Sequence, residues 1–87
     1  MNPFYLNQVQ FSHNNGEEIV NLGNEIAFFI TRDTPIVITP YKPDGLRTLV
    51  GEASRIHLGG MGGGFLVVGS VDEIADAIRL GLGENIR

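Results

Sequence analysis

The chain has no cysteine, which excludes disulfides and thiolate metal sites outright. It is also short of charge: charged residues make up 18%, against ~25% in ordinary globular domains. A small protein with so few charges has trouble covering its surface with polar groups. Self-association into a homo-oligomer is therefore the first expectation. No apolar stretch approaches the ~18 residues of a membrane span, so no membrane partner is expected. Met1 to Leu6 carry no basic segment and no long apolar core. No signal peptide is visible, and the expected location is cytoplasmic. Six basic residues stand against ten acidic ones, for a formal net charge of −4. That balance argues against a non-specific polyanion binder, which needs a basic face. Six basic residues can still converge at the centre of an oligomer, where symmetry repeats each of them.

What is present is enough for one domain, residues 1–87. A chain of this length buries only roughly 60–65% of its unfolded surface, so its stability is thin and oligomerisation is a common remedy. Asn2-Pro3-Phe4-Tyr5-Leu6 forms a lead-in, either a short helical turn or an extended arm. Gln8 to Ser12 alternates polar and apolar, the period of a half-buried strand. His13-Asn14-Asn15-Gly16 carries the Asn-Gly hairpin signal, and Glu17 to Leu22 reads as the return strand. Gly23-Asn24 reads as a break.

Glu25 to Thr31 holds five consecutive apolar residues and predicts a central strand, with a helix over 24–30 as the competing assignment. In the strand, Ile26, Phe28 and Ile30 share one face and Ala27 and Phe29 the other. Arg32-Asp33-Thr34 is a turn, and Pro35 opens a strand over Ile36 to Thr39. Pro40 and Pro43-Asp44-Gly45 mark a loop. Arg47 to Val50 and Ser54 to Leu58 resume strand character, with a bend or bulge at Gly51 and Ala53.

Gly59 to Gly64 is a glycine-rich connection, and Phe65-Leu66-Val67-Val68 is a buried strand. From Ser70 the pattern turns helical. Ser70 and Glu73 form a capping box, and Asp72 and Glu73 place negative charge in the first turn. Val71, Ile74, Ala75, Ile78 and Leu82 fall on one stripe, and Gly81 and Gly83 close the helix. The fold class is mainly β: a small, strongly bent sheet or barrel of about five or six short strands, with one C-terminal amphipathic α-helix.

No motif specifies a chemistry. Five glycines in six positions invite a phosphate site, but the run opens a strand instead of a helix and no Walker lysine follows. It reads as a hairpin loop with Met61 exposed at its centre. His13 sits beside a turn, solvated. His57 lies between Ile56 and Leu58 and faces opposite to them. Two separated histidines make no metal cluster, so no metal and no cofactor is expected. Ser12, Ser54 and Ser70 lack a nucleophile-elbow context. Glu17 and Glu18 are adjacent on a strand, point to opposite faces, and read as solubilising charges. Asp72, Glu73 and Asp76 form an acidic helix face. An enzyme is not expected.

Arg32, Lys42, Arg47 and Arg55 fall in or beside loops between predicted strands. If those loops share one end of a barrel, they make a positive patch, and Tyr41 adds a ring for stacking a single-stranded base. Tyr41, Lys42, Arg47 and Arg55 are the candidate nucleic-acid-binding residues.

The short lead-in followed by five or six strands resembles the Sm and Sm-like (LSm) proteins. Leu66-Val67-Val68-Gly69-Ser70-Val71 is similar to the second Sm motif, with Val68 where that family has an RNA-binding arginine. Asn21-Leu22-Gly23-Asn24 is the nearest trace of the first Sm motif. Gly16 to Asn21, Ile26 to Phe29 and Val67 to Ile74 also follow the order of the small flagellar FlbD-type proteins. Both resemblances imply a compact β-rich module, Sm/SH3-like in shape, that works by binding. The leading expectation is a non-enzymatic oligomeric module with RNA as a partner. The alternative is a structural or regulatory module that binds a protein partner, through the acidic helix face or the glycine loop, and no nucleic acid.

Overall fold

The computed structural model describes residues 3–59 and 64–81. Six strands and one helix follow in order: β1 (Phe4–Asn14), β2 (Glu17–Phe28), β3 (Ile36–Pro40), β4 (Thr48–Val50), β5 (Ala53–Leu58), β6 (Phe65–Val68) and α1 (Val71–Gly81). Strands hold more than half of the described residues, so the protein is mainly β. They form one sheet in the order β3-β5-β6-β1-β2-β4, antiparallel except for the β2–β4 pair. Its two outermost strands do not pair with each other. Of the two forms expected, bent sheet or barrel, the sheet is the open one. Strands β1 and β6 share the single ladder pair Gln8–Val67. The β1-β2-β4 and β3-β5-β6 ladders thus meet at one ladder pair.

The hairpin turn forms as the sequence predicts, with Asn15 and Gly16 both left-handed at φ 47° and 80°. The lead-in is neither arm nor helical turn, because β1 already begins at Phe4. Gly23-Asn24 does not break the return strand either. The register passes from Asn7–Glu25 to Val9–Leu22, so Gln8 alone faces both Gly23 and Asn24. That is a β-bulge inside one strand of 12 residues. A Cβ on residue 23 would lie 2.8 Å from the Gln8 carbonyl oxygen, which is why glycine stands there. The Asn7 side-chain amide donates to the Gly23 carbonyl at 3.2 Å and holds the bulge. The expected separate strand over Glu25 to Thr31 is the second half of β2. It ends at Phe28, opposite Phe4 at the start of β1. Its alternation holds: Phe28 and Ile30 are buried, Ala27 and Phe29 exposed.

One extra residue in a pattern of period two sends every side chain beyond it to the other face. Val20, Leu22, Ile26 and Phe28 of β2 all sit at even positions. The bulge puts the first two on one face and the last two on the opposite one. β1 makes the same switch in its sequence, from Phe4 and Leu6 at even positions to Val9 and Phe11 at odd ones. The hairpin therefore serves two layers. Phe4, Leu6, Ile26 and Phe28 face the main core, while Phe11, His13, Glu18 and Val20 face the other side.

The main core gathers Phe4, Phe28, Ile30, Ile56, Val67, Ile74 and Ile78. Phe4 stacks on its ladder partner Phe28 with centroids 5.2 Å apart, and Phe65 meets Phe28 edge-on at 5.6 Å. α1 closes this core with Ile74 and Ile78. Its capping box is reciprocal: the Ser70 amide donates to Glu73 Oε1 at 2.9 Å, and the Glu73 amide to Ser70 Oγ at 3.1 Å. Ser54 is fully buried and donates to the Gly69 carbonyl at 2.9 Å, fixing the turn from β6 into α1. No helix among the described residues is long and apolar enough to cross a membrane. The expectations for Asn2, for the loop centre at residues 60–63 with Met61, and for Leu82 and Gly83 lie outside the described residues.

The bulge yields a direct prediction. Gly23→Ala forces a methyl against backbone at Gln8 and is expected to cost ~1–3 kcal/mol in urea unfolding. A loss under ~0.5 kcal/mol, the range of an ordinary surface change, would mean that the bulge does not depend on glycine.

Candidate functional site

The switched face of the hairpin carries a buried carboxylate. Glu18 shares its stripe with Val20 and Leu22, and it is 6% exposed. It is not the solubilising charge the sequence suggests; its neighbour Glu17 leaves the opposite face. Three groups from two other segments converge on it. The Tyr41 hydroxyl donates to Oε1. Nε2 of His13, its ladder partner, lies 3.0 Å from Oε2. The Arg47 guanidinium Nη1 stands 3.6 Å from the same oxygen. His13 is thus engaged with Glu18, although its side chain is about half exposed, and is not the merely solvated residue the sequence suggests.

Backbone contacts position these groups. The Tyr41 amide donates to the Ala53 carbonyl at 2.9 Å, continuing the β3–β5 ladder by one step. The Thr48 amide donates to the Gly16 carbonyl at 3.0 Å, and β4 then runs parallel beside Glu17, Glu18 and Ile19. The loop between β3 and β4 is thereby laid over the hairpin. The Tyr41 ring rests on Phe11, with centroids 5.1 Å apart and planes tilted by 34°.

The hydrogen bond from Tyr41 holds the Glu18 carboxyl below the usual carboxylate range; burial opposes it, and His13 and Arg47 act in the same direction as Tyr41. That bond, helped by burial, pushes the Tyr41 phenol above its usual value. Each carboxylate oxygen is already committed. The arrangement holds the loop between β3 and β4 on the hairpin.

The four candidate nucleic-acid-binding residues separate in the structure. Tyr41 and Arg47 come together, but on Glu18. Lys42 is exposed on the loop. Arg55 lies within β5, in the strand the sequence predicts over Ser54 to Leu58, opposite Thr39 and Leu66. Because Tyr41 aligns with Ala53, Arg55 is its diagonal neighbour on the same face. Arg32 lies past the Phe28 end of β2, whereas Arg47 precedes β4 at the Glu17 end. Those ends are on the order of 30 Å apart along the strand, so the loops do not gather at one end. His57 is half-buried on the same face of β5 as Arg55. Among the described residues no group of His, Asp or Glu is placed to hold a metal ion.

Beside Tyr41, a cleft of about 190 Å³ runs between Pro40, Leu49, Gly51, Ala53 and the start of α1 at Ser70 and Val71. That is smaller than the ~300–1,000 Å³ of small-molecule pockets. Comparison with protein-family models, with curated proteins and with solved structures finds no match to this chain. The site therefore rests on its own geometry.

The signs of the two displacements fix its pH response. A carboxyl held below its ordinary value stabilises the fold above that range and ceases to do so as pH falls through its folded value. A phenol held above its ordinary value stabilises the fold below pH ~10 and ceases to as pH rises through its folded value. Glu18→Gln and Tyr41→Phe are each expected to lower the melting temperature at pH 7 by about 5 °C. For Glu18→Gln the gap to wild type closes as pH falls below ~4. Thermal scans across pH check this; a gap that persists unchanged at pH ~2 would mean that the Glu18 charge is not what holds the loop.

Proposed function

We propose that the protein is a non-enzymatic, self-associating binding module, a homo-oligomer of the kind its Sm-like resemblance implies. The observation that carries this is the open sheet. β3 and β4 end it without closing it, and β4 accompanies β2 only along Glu17 to Ile19. Gly51 still lies against Val20, and beyond it β2 pairs with no strand on that side among the described residues. Tyr5, Leu22, Phe29, Val37 and Leu46 expose more than half of their surface on this small, weakly charged chain. Unpaired edges beside exposed apolar side chains favour association.

The placement of Tyr41 and Arg47 supports protein contact over RNA contact. The Tyr41 ring is packed on Phe11 and its hydroxyl is committed, and the Arg47 charge faces Glu18. Lys42 is offset by Asp44 in the same loop. A strand of phosphates meets little free positive charge there.

Native mass spectrometry of the purified chain, paired with anisotropy on a labelled single-stranded RNA, tests this. The expected result is two or more copies per assembly and no RNA affinity. A monomer throughout the micromolar range would overturn it. RNA binding that weakens steeply with salt and is lost in Lys42→Ala or Arg55→Ala would replace it with the RNA reading.

A further inference from the structure

The turn decides which main-chain groups face the open edge of β2. A two-residue loop closes on a hydrogen-bonded pair, here Asn14–Glu17, and such pairs recur at every second residue. β1 has no inserted residue, so its even positions aim their N–H and C=O groups at β2 as far as Leu6 and Phe4. Their partners are Ile26 and Phe28. Glu25 and Ala27, and Phe29 just past the strand, therefore aim theirs outward, where no strand lies among the described residues.

The other edges are guarded. On β3 the bond from the Tyr41 amide to Ala53 turns Val37, Thr39 and Tyr41 toward β5. Ile36, Ile38 and Pro40 face out, and Pro40 has no N–H to offer a docking strand. β4 is only three residues long. Residues 25–29 contain no proline and no lysine. Ala27 is exposed, its ladder partner Tyr5 is 57% exposed, and Phe29 is 68% exposed.

We infer that this edge pairs with itself in a second copy of the chain, as an antiparallel ladder about a two-fold axis at Ala27. This rests on the self-association proposed above. In that register Ala27 meets the second copy's Ala27, and Glu25 meets its Phe29. Every outward N–H and C=O of residues 25, 27 and 29 then finds a partner. The two Glu25 carboxylates stand four residues apart along the ladder, ~13 Å, beyond the ~8 Å screening length at physiological salt. A parallel, in-register pair would stack Glu25 on Glu25, which is unfavourable. Phe29 and Tyr5 leave roughly 250 Å² of ring surface in water, at ~200 Å² per aromatic side chain. Doubled by the axis and joined by the paired backbones, the contact falls below ~1,200 Å², among weak, concentration-dependent complexes.

Because the chain has no cysteine, one introduced thiol reports one contact. Hydrogen-bonded antiparallel neighbours have Cα atoms ~5.5 Å apart, within reach of a disulfide. On mild oxidation of the full-length chain at micromolar concentration, Ala27→Cys is expected to give a covalent dimer and Val37→Cys, on the guarded edge, is not. Both positions are exposed, and thermal unfolding of the reduced variants verifies that each is folded. If wild type is oligomeric but Ala27→Cys cross-links no better than Val37→Cys, the β2 edge is the wrong surface and self-association stands. If wild type is monomeric and neither variant cross-links, both proposals fall.

Discussion

The structure depends on a change of face within one hairpin. A strand in a small antiparallel sheet ordinarily gives one side to the core and the other to water. β1 and β2 are too long for that economy: at 11 and 12 residues they extend past the single core that 87 residues can build. Their far half must find a second layer or remain bare. The bulge at Gly23-Asn24, matched by the shift from even to odd apolar positions in β1, turns Phe11, Glu18 and Val20 toward the other side. The loop between β3 and β4 then has a surface to cover, and β4 has a strand to join. Without the switch, Phe4 and Phe28 would share a face with Glu18, and no single core could accept all three.

A buried carboxylate in a chain so poor in charge calls for a physical reason. Desolvating a carboxylate is costly, and its stabilisation depends on filling its lone pairs. Glu18 meets this requirement with a phenol, an imidazole and a guanidinium, of which only His13 lies on its own hairpin. Tyr41 and Arg47 are six positions apart on a loop that holds Pro43 and Gly45 and has few other fixed points. An apolar residue at position 18 would leave that loop free to slide, whereas a carboxylate with directional partners fixes where it lies. The polar cluster thus supplies position, and the Phe11–Tyr41 ring contact supplies the apolar area beneath it.

Elements governed by local chemistry were legible in the sequence. Asn15-Gly16 needs only two residues that tolerate positive φ, and the Ser70–Glu73 cap only two side chains at fixed spacing. The alternation of Ile26 to Ile30 likewise predicts its own faces. What the sequence concealed is register. Gly23-Asn24 reads equally as a break or a bulge, and only the partner strand decides between them. Glu18 was not legible: Ile19 and Val20 are both apolar, so the pattern does not say which of Glu17 and Glu18 points inward, and nothing local announces that Tyr41 and Arg47 will meet Glu18. Arg55 falls inside the strand that the sequence predicts over Ser54 to Leu58; what stayed hidden is that β3 and β6 flank it on both sides.

The distribution of edge protection also carries meaning. A sheet that stays open must end somewhere, and each end invites a foreign strand. Here protection is uneven. Pro40 occupies an outward position of β3, where its missing N–H costs the ladder nothing and denies a donor to an incoming strand. β2 beyond Ile19 has no such device; it offers main-chain groups beside Phe29 and carries one charge, Glu25. A uniformly poor guard would suggest a chain too small to protect itself. A guard placed on one edge and omitted from the other separates two kinds of surface. Pro40 leaves the β3 edge one donor fewer for an incoming strand, and the β2 edge beyond Ile19 keeps the main-chain groups that the self-pairing we infer would use.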